Sequence, residues 1–267
     1  MHEILITNDD GYESAGLHAL IDALRPLAHI TVVAPTIEKS ASGHSLTLTR
    51  PLRFIEVDDD FFKLDDGTPT DCVFLALNKL YAEGKRPDLV ISGINRGANM
   101  GEDITYSGTA AAAMEAVLQG IPAIAISQVC EGECEGIDDL GYALAQKSII
   151  HVVEHIFAEG FPLPERHLLN INIPPIPPTQ SKGLRITRAG RRAYGNDAQV
   201  HRNPRGLEYY WIGLPRLDWI DTPGTIPTDF EAVDAGYVSL TPVQLDLTAY
   251  DEVEKLEQWA GEVGSRK

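Results

Sequence analysis

Two adjacent carboxylates follow the first apolar run of this chain. Residues 4–6 form a short strand-like run, and Asp9 and Asp10 come soon after it, directly ahead of Gly11. Neighbouring side chains of a strand point to opposite faces, but a turn at Gly11 can bring both acids to one point. That arrangement suits a hard cation, because Mg²⁺ and Mn²⁺ prefer carboxylate and amide oxygens. Taken alone, the pair is also typical of a polar turn that caps the following helix.

Further polar residues follow other predicted strands. In an open parallel sheet, ligands bind beyond the carboxyl ends of the strands, so these residues are expected at the same edge as the two acids. They are Asn8 after the first strand, Ser40, Ser42, Gly43 and His44 after the second, and Asn95 to Asn99 after the strand at 88–94. Ser107, Gly108 and Thr109 precede a run of alanines, and the N–H groups of that helix start predict an anion site. The alternative is that these three residues only cap the helix.

The elements that must position these residues alternate along the first part of the chain. Strand patterns occur at residues 2–8, 29–35, 88–94, 121–127 and 167–173, with a hairpin at 52–64, and helix patterns occur at 15–27, from 68, at 109–119 and at 137–159. This alternation predicts a doubly wound, mostly parallel α/β sheet. Residues 1–180 are therefore expected to form one core, which contains the candidate site residues named above.

Beyond residue 180 the alternation stops. Residues 181–235 contain short strand-like pieces separated by Gly, Pro and Asn, and they carry Tyr194, Tyr209, Tyr210, Trp211 and Trp219. An extended arm that cannot bury its own surface usually packs on a partner, so we expect a homo-oligomer held by residues 185–235. The alternative is that the aromatic residues pack back on the same subunit. Residues 236–267 are expected to form a strand and a helix that return to the core or to a partner.

The composition narrows the classes of function. Lys and Arg total 22 against 39 Asp and Glu, and the net charge of −17 argues against a surface that binds duplex nucleic acid. No apolar run reaches the roughly 18 residues that span a bilayer, and no secretion signal is apparent, so we expect a cytoplasmic protein with no membrane partner. The 3 cysteines cannot all pair with one another, and their scarcity fits a reducing compartment, so we expect no disulfide.

Other sequence motifs for metal or nucleotide binding are absent or match this chain poorly. The chain has no P-loop, and no dinucleotide fingerprint follows the first strand. The segment His151-Val152-Val153-Glu154-His155 matches an inverted zinc-protease motif, but its alternation with an apolar face favours a surface helix. Cys130 and Cys134 supply only two thiolates, which favours a loop over a zinc site.

Several motifs, in order along the chain, resemble the SurE family of metal-dependent nucleoside monophosphate phosphatases. They are Thr7-Asn8-Asp9-Asp10-Gly11, the Ser40 loop, Gly67-Thr68-Pro69-Thr70-Asp71-Cys72-Val73, Ser92-Gly93-Ile94-Asn95 to Asn99, and Tyr106-Ser107-Gly108-Thr109. The resemblance continues through Asn203-Pro204-Arg205-Gly206, Thr228-Asp229-Phe230 and residues 236–242, so it covers nearly the whole chain. One difference is Thr36-Ile37-Glu38-Lys39, where many members have Asp-Arg. It bears on nucleotide preference but not on metal binding, because Ser40 is kept.

The resemblance implies a fold and a reaction. The fold is a Rossmann-like core with an arm that is swapped between subunits of a homodimer or homotetramer. The reaction is hydrolysis of nucleoside 5′- and 3′-monophosphates, and sometimes of short polyphosphate, with one Mg²⁺ or Mn²⁺ ion per subunit. The rival hypothesis is a nucleotide-binding sensor that uses the same cleft without turnover.

The same resemblance and the strand-end pattern assign roles to individual residues. By motif, the metal ligands are Asp9, Asp10, Ser40 and Asn95. The residues expected to take part in catalysis are Asn8, Asp9, Asp10 and His44, with His44 as a proton donor to the leaving alkoxide. Those expected to bind the substrate phosphate are Asn99, Ser107, Gly108 and Thr109.

Overall fold

A nine-stranded sheet forms the centre of the computed structural model, which describes residues 1–81, 84–130, 141–194, 198–212 and 218–264. The strands, in chain order, are β1 (Glu3–Thr7), β2 (His29–Pro35), β3 (Arg53–Asp58), β4 (Phe61–Asp65), β5 (Leu89–Arg96), β6 (Ala123–Gln128), β7 (His167–Ile173), β8 (Leu184–Ile186), β9 (Arg191–Arg192), β10 (Ala198–Arg202), β11 (Glu208–Ile212), β12 (Trp219–Ile220) and β13 (Val238–Gln244). Across the sheet they are ordered β3-β4-β2-β1-β5-β6-β7-β13-β8.

The strand directions confirm the predicted doubly wound, mostly parallel sheet. Every neighbouring pair from β4 to β7 in this order is parallel. The strands β3 and β13 each run antiparallel to a neighbour. Because β2 and β5 lie on opposite sides of β1, the winding reverses between β1 and β5. The carboxyl ends of these two strands therefore form the switch point at which open α/β sheets bind ligands.

Helices cover both faces of the sheet. They are α1 (Ala15–Leu24), α2 (Pro69–Lys79), α3 (Gly108–Leu118), α4 (Ala143–Glu159), α5 (Asp229–Asp234) and α6 (Tyr250–Gly264), and a 3₁₀ turn spans Gly101–Thr105. One apolar core contains buried residues of α1 and α4, and a second contains those of α2 and α3. Ile4 and Ile6 of β1 lie in the first core, and Leu5 lies in the second. Successive strand residues face opposite sides, so the two cores lie on opposite faces.

Local sequence signals explain two of the helix starts. Thr68 caps α2 and forms a capping box with Asp71, and Pro69 occupies the first turn. Ser107 caps α3, and its Oγ accepts the N–H of Ala110 at 3.0 Å. The sequence predicts a helix start at residue 68 and capping residues at 107–109, and both are confirmed.

The region at 181–235 differs from the predicted arm at its two ends. β8 pairs with β13 in the central sheet, so it does not lie outside that sheet. A strand-like piece was predicted at Leu184 to Thr187, but no local pattern indicates that it pairs with β13. At the other end α5 forms a helix that was not predicted, and Phe230 is buried there. Asp229 connects this helix to the rest, because its carboxylate accepts the N–H groups of Gly101 and Gly190 at 2.8 Å each.

The cysteines also differ from expectation. Cys130 is disulfide-bonded, so the expectation of no disulfide is wrong at this residue. Scarcity of cysteine indicates a compartment, but it does not determine whether two thiols come together. Cys72 is a free, buried thiol in α2. Cys134 lies outside the described residues.

The zinc-like motif lies on a surface helix. Val152 and Val153 of α4 are buried, whereas His151, Glu154 and His155 are exposed. This confirms the interpretation of the motif as one face of an amphipathic helix. The described part of α4 begins at Ala143, and residues 137–140 of the predicted helix lie outside the described residues. Among the described helices, none combines the length and the hydropathy needed to cross a membrane.

We predict that Gly16 is needed for the packing of α1 on β5. A Cβ atom at Gly16 would lie 2.0 Å from the carbonyl oxygen of Ile94. Gly16→Ala should therefore lower the free energy of unfolding by about 1–3 kcal/mol, the range for overpacked cores. Urea unfolding measures the change. Gly261→Ala in α6 is the control, since an added Cβ has no atom within 4 Å there, and a Gly16→Ala protein as stable as the wild type would contradict the prediction.

Candidate functional site

The carboxylate of Asp9 is buried and bound to the start of α3. Asp9 follows β1, and its Oδ2 accepts the N–H of Thr109 at 3.1 Å. Its Oδ1 accepts the hydroxyl hydrogen of Thr109. Burial nevertheless raises the pKa of Asp9 above its usual value, and these hydrogen bonds only partly oppose that effect. The sheet and the helix thus hold this acid in one orientation in a place that disfavours its charge.

Gly108 allows this close approach of the helix. A Cβ atom at Gly108 would lie 2.8 Å from Cβ of Asp9 and 2.9 Å from Oγ of Ser42. A side chain at this position would clash at such distances. Because Gly108 has no side chain, three segments can approach one another here. The strand end, the loop after β2 and the start of α3 therefore meet at one point.

Asp10 joins the end of β1 to the end of β5. Its Oδ2 accepts the N–H of Arg96 at 2.9 Å. Burial and the negative charge of Asp9 raise the pKa of Asp10 to about 7. The charge of Asp9 is thus one cause of the raised pKa of Asp10, and the joint binding of one ion by the two acids stays a prediction.

Asn8 shapes the turn that follows these acids. Its Nδ2 donates to the carbonyl oxygen of Gly11 at 2.8 Å and to Oγ of Ser14 at 2.7 Å. Ser14 is the N-cap of α1. The Oδ1 atom of Asn8 is buried without a hydrogen-bond partner among the described residues. An unpaired buried acceptor is costly, which favours a ligand at this point.

The loop after β2 is attached to both sides of the site. The N–H of Lys39 donates to the carbonyl oxygen of Asp9 at 2.7 Å, and that of Gly43 donates to the carbonyl oxygen of Tyr106 at 3.0 Å. Ser40 is exposed, and its hydroxyl donates to Glu38 at 2.7 Å. Burial is the main cause of the raised pKa values of Asp9 and Asp10, and the negative charge of Glu38 raises both pKa values further. The loop thus brings a hydroxyl oxygen and a third acid to this edge.

Asn95 lies at the end of β5, on the other side of the switch point. It is 8% exposed, and its Nδ2 donates to the carbonyl oxygen of Gly97 at 2.9 Å. With its nitrogen engaged in this way, the amide has its Oδ1 left for a ligand. The next residue, Arg96, donates its N–H to Asp10, so Asn95 directly precedes a contact with the acid pair.

The chemistry of these groups fits a hard divalent cation. The predicted ligands would offer the carboxylates of Asp9 and Asp10, the hydroxyl of Ser40 and the amide oxygen of Asn95, all donors that Mg²⁺ and Mn²⁺ accept. Burial, and for Asp10 also the charge of Asp9, keeps both pKa values raised, so the protein groups only partly stabilise the charged forms. Within the described residues, no group of three or more His, Cys, Asp or Glu side chains is placed to hold a metal ion. A ligand set with two carboxylates does not form such a group.

The predicted phosphate ligands mostly have partners inside the protein. Thr109 gives both its N–H and its hydroxyl to Asp9. The Oγ of Ser107 accepts the N–H of Ala110, and Nδ2 of Asn99 donates to Oγ of Ser127 at 2.8 Å. Of the first three backbone N–H groups of α3, those of Thr109 and Ala110 donate to Asp9 and Ser107. Among the described residues, the N–H of Gly108 is therefore the one left to bind a phosphate. Contacts of Asn99, Ser107 and Thr109 with phosphate stay predictions.

His44 lies beside α3 rather than at its start. Its Nε2 is 2.9 Å from Oε2 of Glu115. Glu115 is seven residues after Gly108, which is about 10 Å along a helix. Although burial opposes it, hydrogen bonds from His44 and Gln119 lower the pKa of Glu115. The role of His44 as a proton donor stays a prediction, because its ring contacts an acid of the helix and not Asp9 or Asp10.

Two acids of this region, Glu38 and Glu115, were not predicted from the sequence. Glu115 does carry a signal, because an acid that follows an alanine run on an apolar helix needs a buried partner. Glu38 carries none, since an acid in a polar loop is ordinary.

Comparison with known proteins identifies the family of this chain. A family model described as "Survival protein SurE" matches residues 4–196. The chain belongs to the SurE family. This confirms the family predicted from the motifs.

Relatives of this SurE chain match over nearly its whole length. A protein of Sulfurovum sp. named 5′-nucleotidase SurE is 65% identical over 96% of this chain and 97% of its own. One of Nitratiruptor sp. with the same name is 59% identical over 97% of this chain and 100% of its own. The crystal structure of the SurE protein from Aquifex aeolicus superposes with a TM-score of 0.81, at 42% identity, over 97% of this chain and 99% of that one.

The raised pKa of Asp10 predicts a pH-dependent stability of the metal-free SurE chain. Its folded-state pKa of about 7 lies above the ordinary 3.8, so the folded protein holds this proton more tightly than the unfolded chain. The contribution is then fully present below pH 4 and is lost as the pH rises towards 7, with a slope of at most about 1.4 kcal/mol per pH unit.

Urea unfolding in EDTA at several pH values between 4 and 8 tests this prediction. Asp10→Asn should flatten the loss of stability, whereas Asp22→Asn, at an exposed position of α1, should follow the wild type. Parallel curves for Asp10→Asn and the wild type would contradict the assignment.

Proposed function

We propose that this SurE chain is a metal-dependent phosphatase that hydrolyses nucleoside 5′-monophosphates to nucleoside and phosphate. The observation that carries the proposal is a pair of neighbouring carboxylates, the buried Asp9 bound to the start of α3 and the half-buried Asp10 bound to the end of β5. Relatives that match 96–97% of this chain bear the name 5′-nucleotidase, which supports the same reaction here. Hydrolysis of 3′-monophosphates and short polyphosphate belongs to the same proposal, because each presents a terminal phosphoryl group.

Asp9, Asp10, Ser40 and Asn95 are the proposed ligands of one Mg²⁺ or Mn²⁺ ion per subunit. When bound, such an ion neutralises phosphoryl oxygens and lowers the pKa of a bound water. Thr109 fixes the orientation of the Asp9 carboxylate through its two hydrogen bonds. Asn8 fixes the turn at Gly11 in the same way, so its proposed contribution to catalysis is positional.

The start of α3 is the proposed site for the remaining phosphoryl oxygens. The N–H of Gly108 and the positive end of the helix dipole both favour an anion there. Phosphoryl transfer depends mainly on positioning and on charge neutralisation, so these groups are sufficient partners for the ion. The strongly acidic chain thereby binds an anionic substrate through local positive potential.

Asp9→Asn is expected to abolish turnover while leaving the fold intact. An asparagine can still accept the N–H of Thr109 and donate to its hydroxyl oxygen, so no buried group loses its partner. The change removes one ligand charge, and we expect the rate to fall at least about 100-fold. Release of phosphate from nucleoside monophosphates with Mg²⁺ or Mn²⁺ measures it, with Asp22→Asn as the matched surface control.

Removal of the metal with EDTA should stop the reaction, and added Mn²⁺ should restore it. Equal rates in metal-free and Mn²⁺ buffers would contradict the metal assignment. Tight nucleotide binding without phosphate release from any common nucleotide would instead favour the nucleotide sensor.

The hairpin of β10 and β11 is the proposed contact between subunits. Its residues are exposed along both strands, including Tyr209, Tyr210, Trp211 and Ile212. An isolated two-stranded hairpin is at best marginally stable in water, so this one needs another surface to pack on. We propose that the surface belongs to a second copy of the chain, in a homodimer or homotetramer.

The double variant Tyr210→Ser/Ile212→Ser is expected to sediment as a smaller species than the wild type. Both side chains lie on one face of β11 and are 66% and 88% exposed. Val57→Ser, an exposed apolar change on β3, is the control. Sedimentation velocity measures the species, and a wild-type monomer, or a variant with unchanged size, would contradict the proposal.

A further inference from the structure

Two buried asparagines of β7 hold a loop of the candidate site. Asn170 and Asn172 are both 0% exposed, and neither was among the predicted site residues. Their side chains project from the same face of the strand, since they are two residues apart. Fully buried amides are uncommon unless they have a specific partner. Here that partner is the backbone of Asn99.

Asn172 forms hydrogen bonds with both backbone polar groups of Asn99. Its Oδ1 accepts the N–H of Asn99 at 2.9 Å, and its Nδ2 donates to the carbonyl oxygen of Asn99 at 3.0 Å. The Nδ2 of Asn170 donates to the same carbonyl oxygen at 2.8 Å. A side-chain amide that pairs with both the N–H and the carbonyl oxygen of one residue fixes the position and the orientation of the backbone at that residue.

A short series of hydrogen bonds connects Asn99 to the proposed metal ligands. The side chain of Asn99 donates to Ser127 on the adjacent strand β6, at 2.8 Å. The N–H of Gly97 donates to the carbonyl oxygen of Gln128 at 3.0 Å, and its own carbonyl oxygen accepts Nδ2 of Asn95. The orientation of the Asn95 amide therefore depends on the position of the loop at 95–99.

The same loop also contacts the acid pair. The N–H of Arg96 donates to Asp10 at 2.9 Å. A shift of this segment would therefore change both the amide of Asn95, a proposed metal ligand, and the hydrogen bond that the N–H of Arg96 donates to Asp10. The segment begins within β5, β6 binds Gly97 and the side chain of Asn99, and β7 binds the backbone of Asn99, so its position depends on all three strands.

We propose that Asn172 is a positioning residue for the metal site, which it sets through the backbone of Asn99; this inference rests on the proposed metal-dependent function. Asn170 supports it through one hydrogen bond and has a smaller effect. Outer groups that orient metal ligands typically change metal affinity or activity 10- to 100-fold when they are removed. We expect effects of that size for Asn172 and weaker ones for Asn170.

A matched control lies in the same buried polar patch. The hydroxyl of Thr187 is within 2.8 Å of Ser239 Oγ and 2.7 Å of Thr241 Oγ1, and Ser239 pairs with Asn172 in the sheet. These partners of the Thr187 hydroxyl belong to β13 and not to the loop at 95–99. Thr187→Val thus removes a buried hydroxyl nearby, and it should lower stability without changing metal binding.

The test is Mn²⁺ binding to the full chain, measured by isothermal titration calorimetry, together with thermal unfolding. Asn172→Ala should weaken Mn²⁺ binding about 10- to 100-fold. Asn170→Ala should weaken it less, and Thr187→Val should not weaken it. With nucleotide as substrate, the rate of Asn172→Ala should recover as Mn²⁺ approaches saturation, which a general loss of folded protein would not show. Asn172→Ser serves as the second variant if the alanine protein does not fold.

The outcomes separate this inference from the proposed function. A wild type that binds Mn²⁺, with Asn172→Ala or Asn172→Ser proteins that bind it equally well, would overturn the positioning role alone. Loss of Mn²⁺ binding by Thr187→Val to the same degree would overturn it as well, because any damage to the patch would then have the same effect. A wild type that binds no Mn²⁺ would overturn both.

Discussion

Two neighbouring carboxylates that are withdrawn from water repel each other, and this edge of the sheet is arranged around that cost. Thr109 gives both of its donors to Asp9, and the backbone of Arg96 gives one to Asp10. These bonds reduce the cost without removing it, because the pKa values of both acids stay raised. The absence of a side chain at Gly108 lets the helix start come close enough to supply the donors. A cation at this point would relieve the repulsion that the protein groups leave.

Much of the fold could be predicted from local patterns in the sequence. The apolar strands, their alternation with helices and the caps at Thr68 and Ser107 all depend on residues close together in the chain. The predicted strand at 167–173 coincides with β7 as observed. Because ligands of parallel sheets lie at the carboxyl ends of strands, the general place of the site followed from the same patterns. The motifs then identified the family.

The partners of the site residues could not be predicted in this way. Thr109 lies 100 residues from Asp9, and Asn172 lies 73 residues from Asn99. Such pairs depend on which strands become neighbours and on their register, and no spacing in the sequence reports either one. For the same reason the sequence did not show that the hydroxyl of Thr109 is bound to Asp9. The strand-like piece at Leu184 to Thr187 was predicted, but its pairing with β13 in the central sheet was not, because β13 lies more than 50 residues further along the chain.

β13, the last of the described strands, lies between β7 and β8 in the central sheet. The sheet is therefore complete only after the C-terminal part of the chain has been made. Synthesis proceeds from the N-terminus, so β1, β2, β5 and α3 have all been made before β7. When α3 has been made, the segment at 95–99 therefore still lacks the hydrogen bonds of Asn170 and Asn172 in β7. Asn172 arrives with β7, and the edge of the sheet is closed only when β13 follows. The ligands of the site are thus made early, and the groups that fix its geometry are made late.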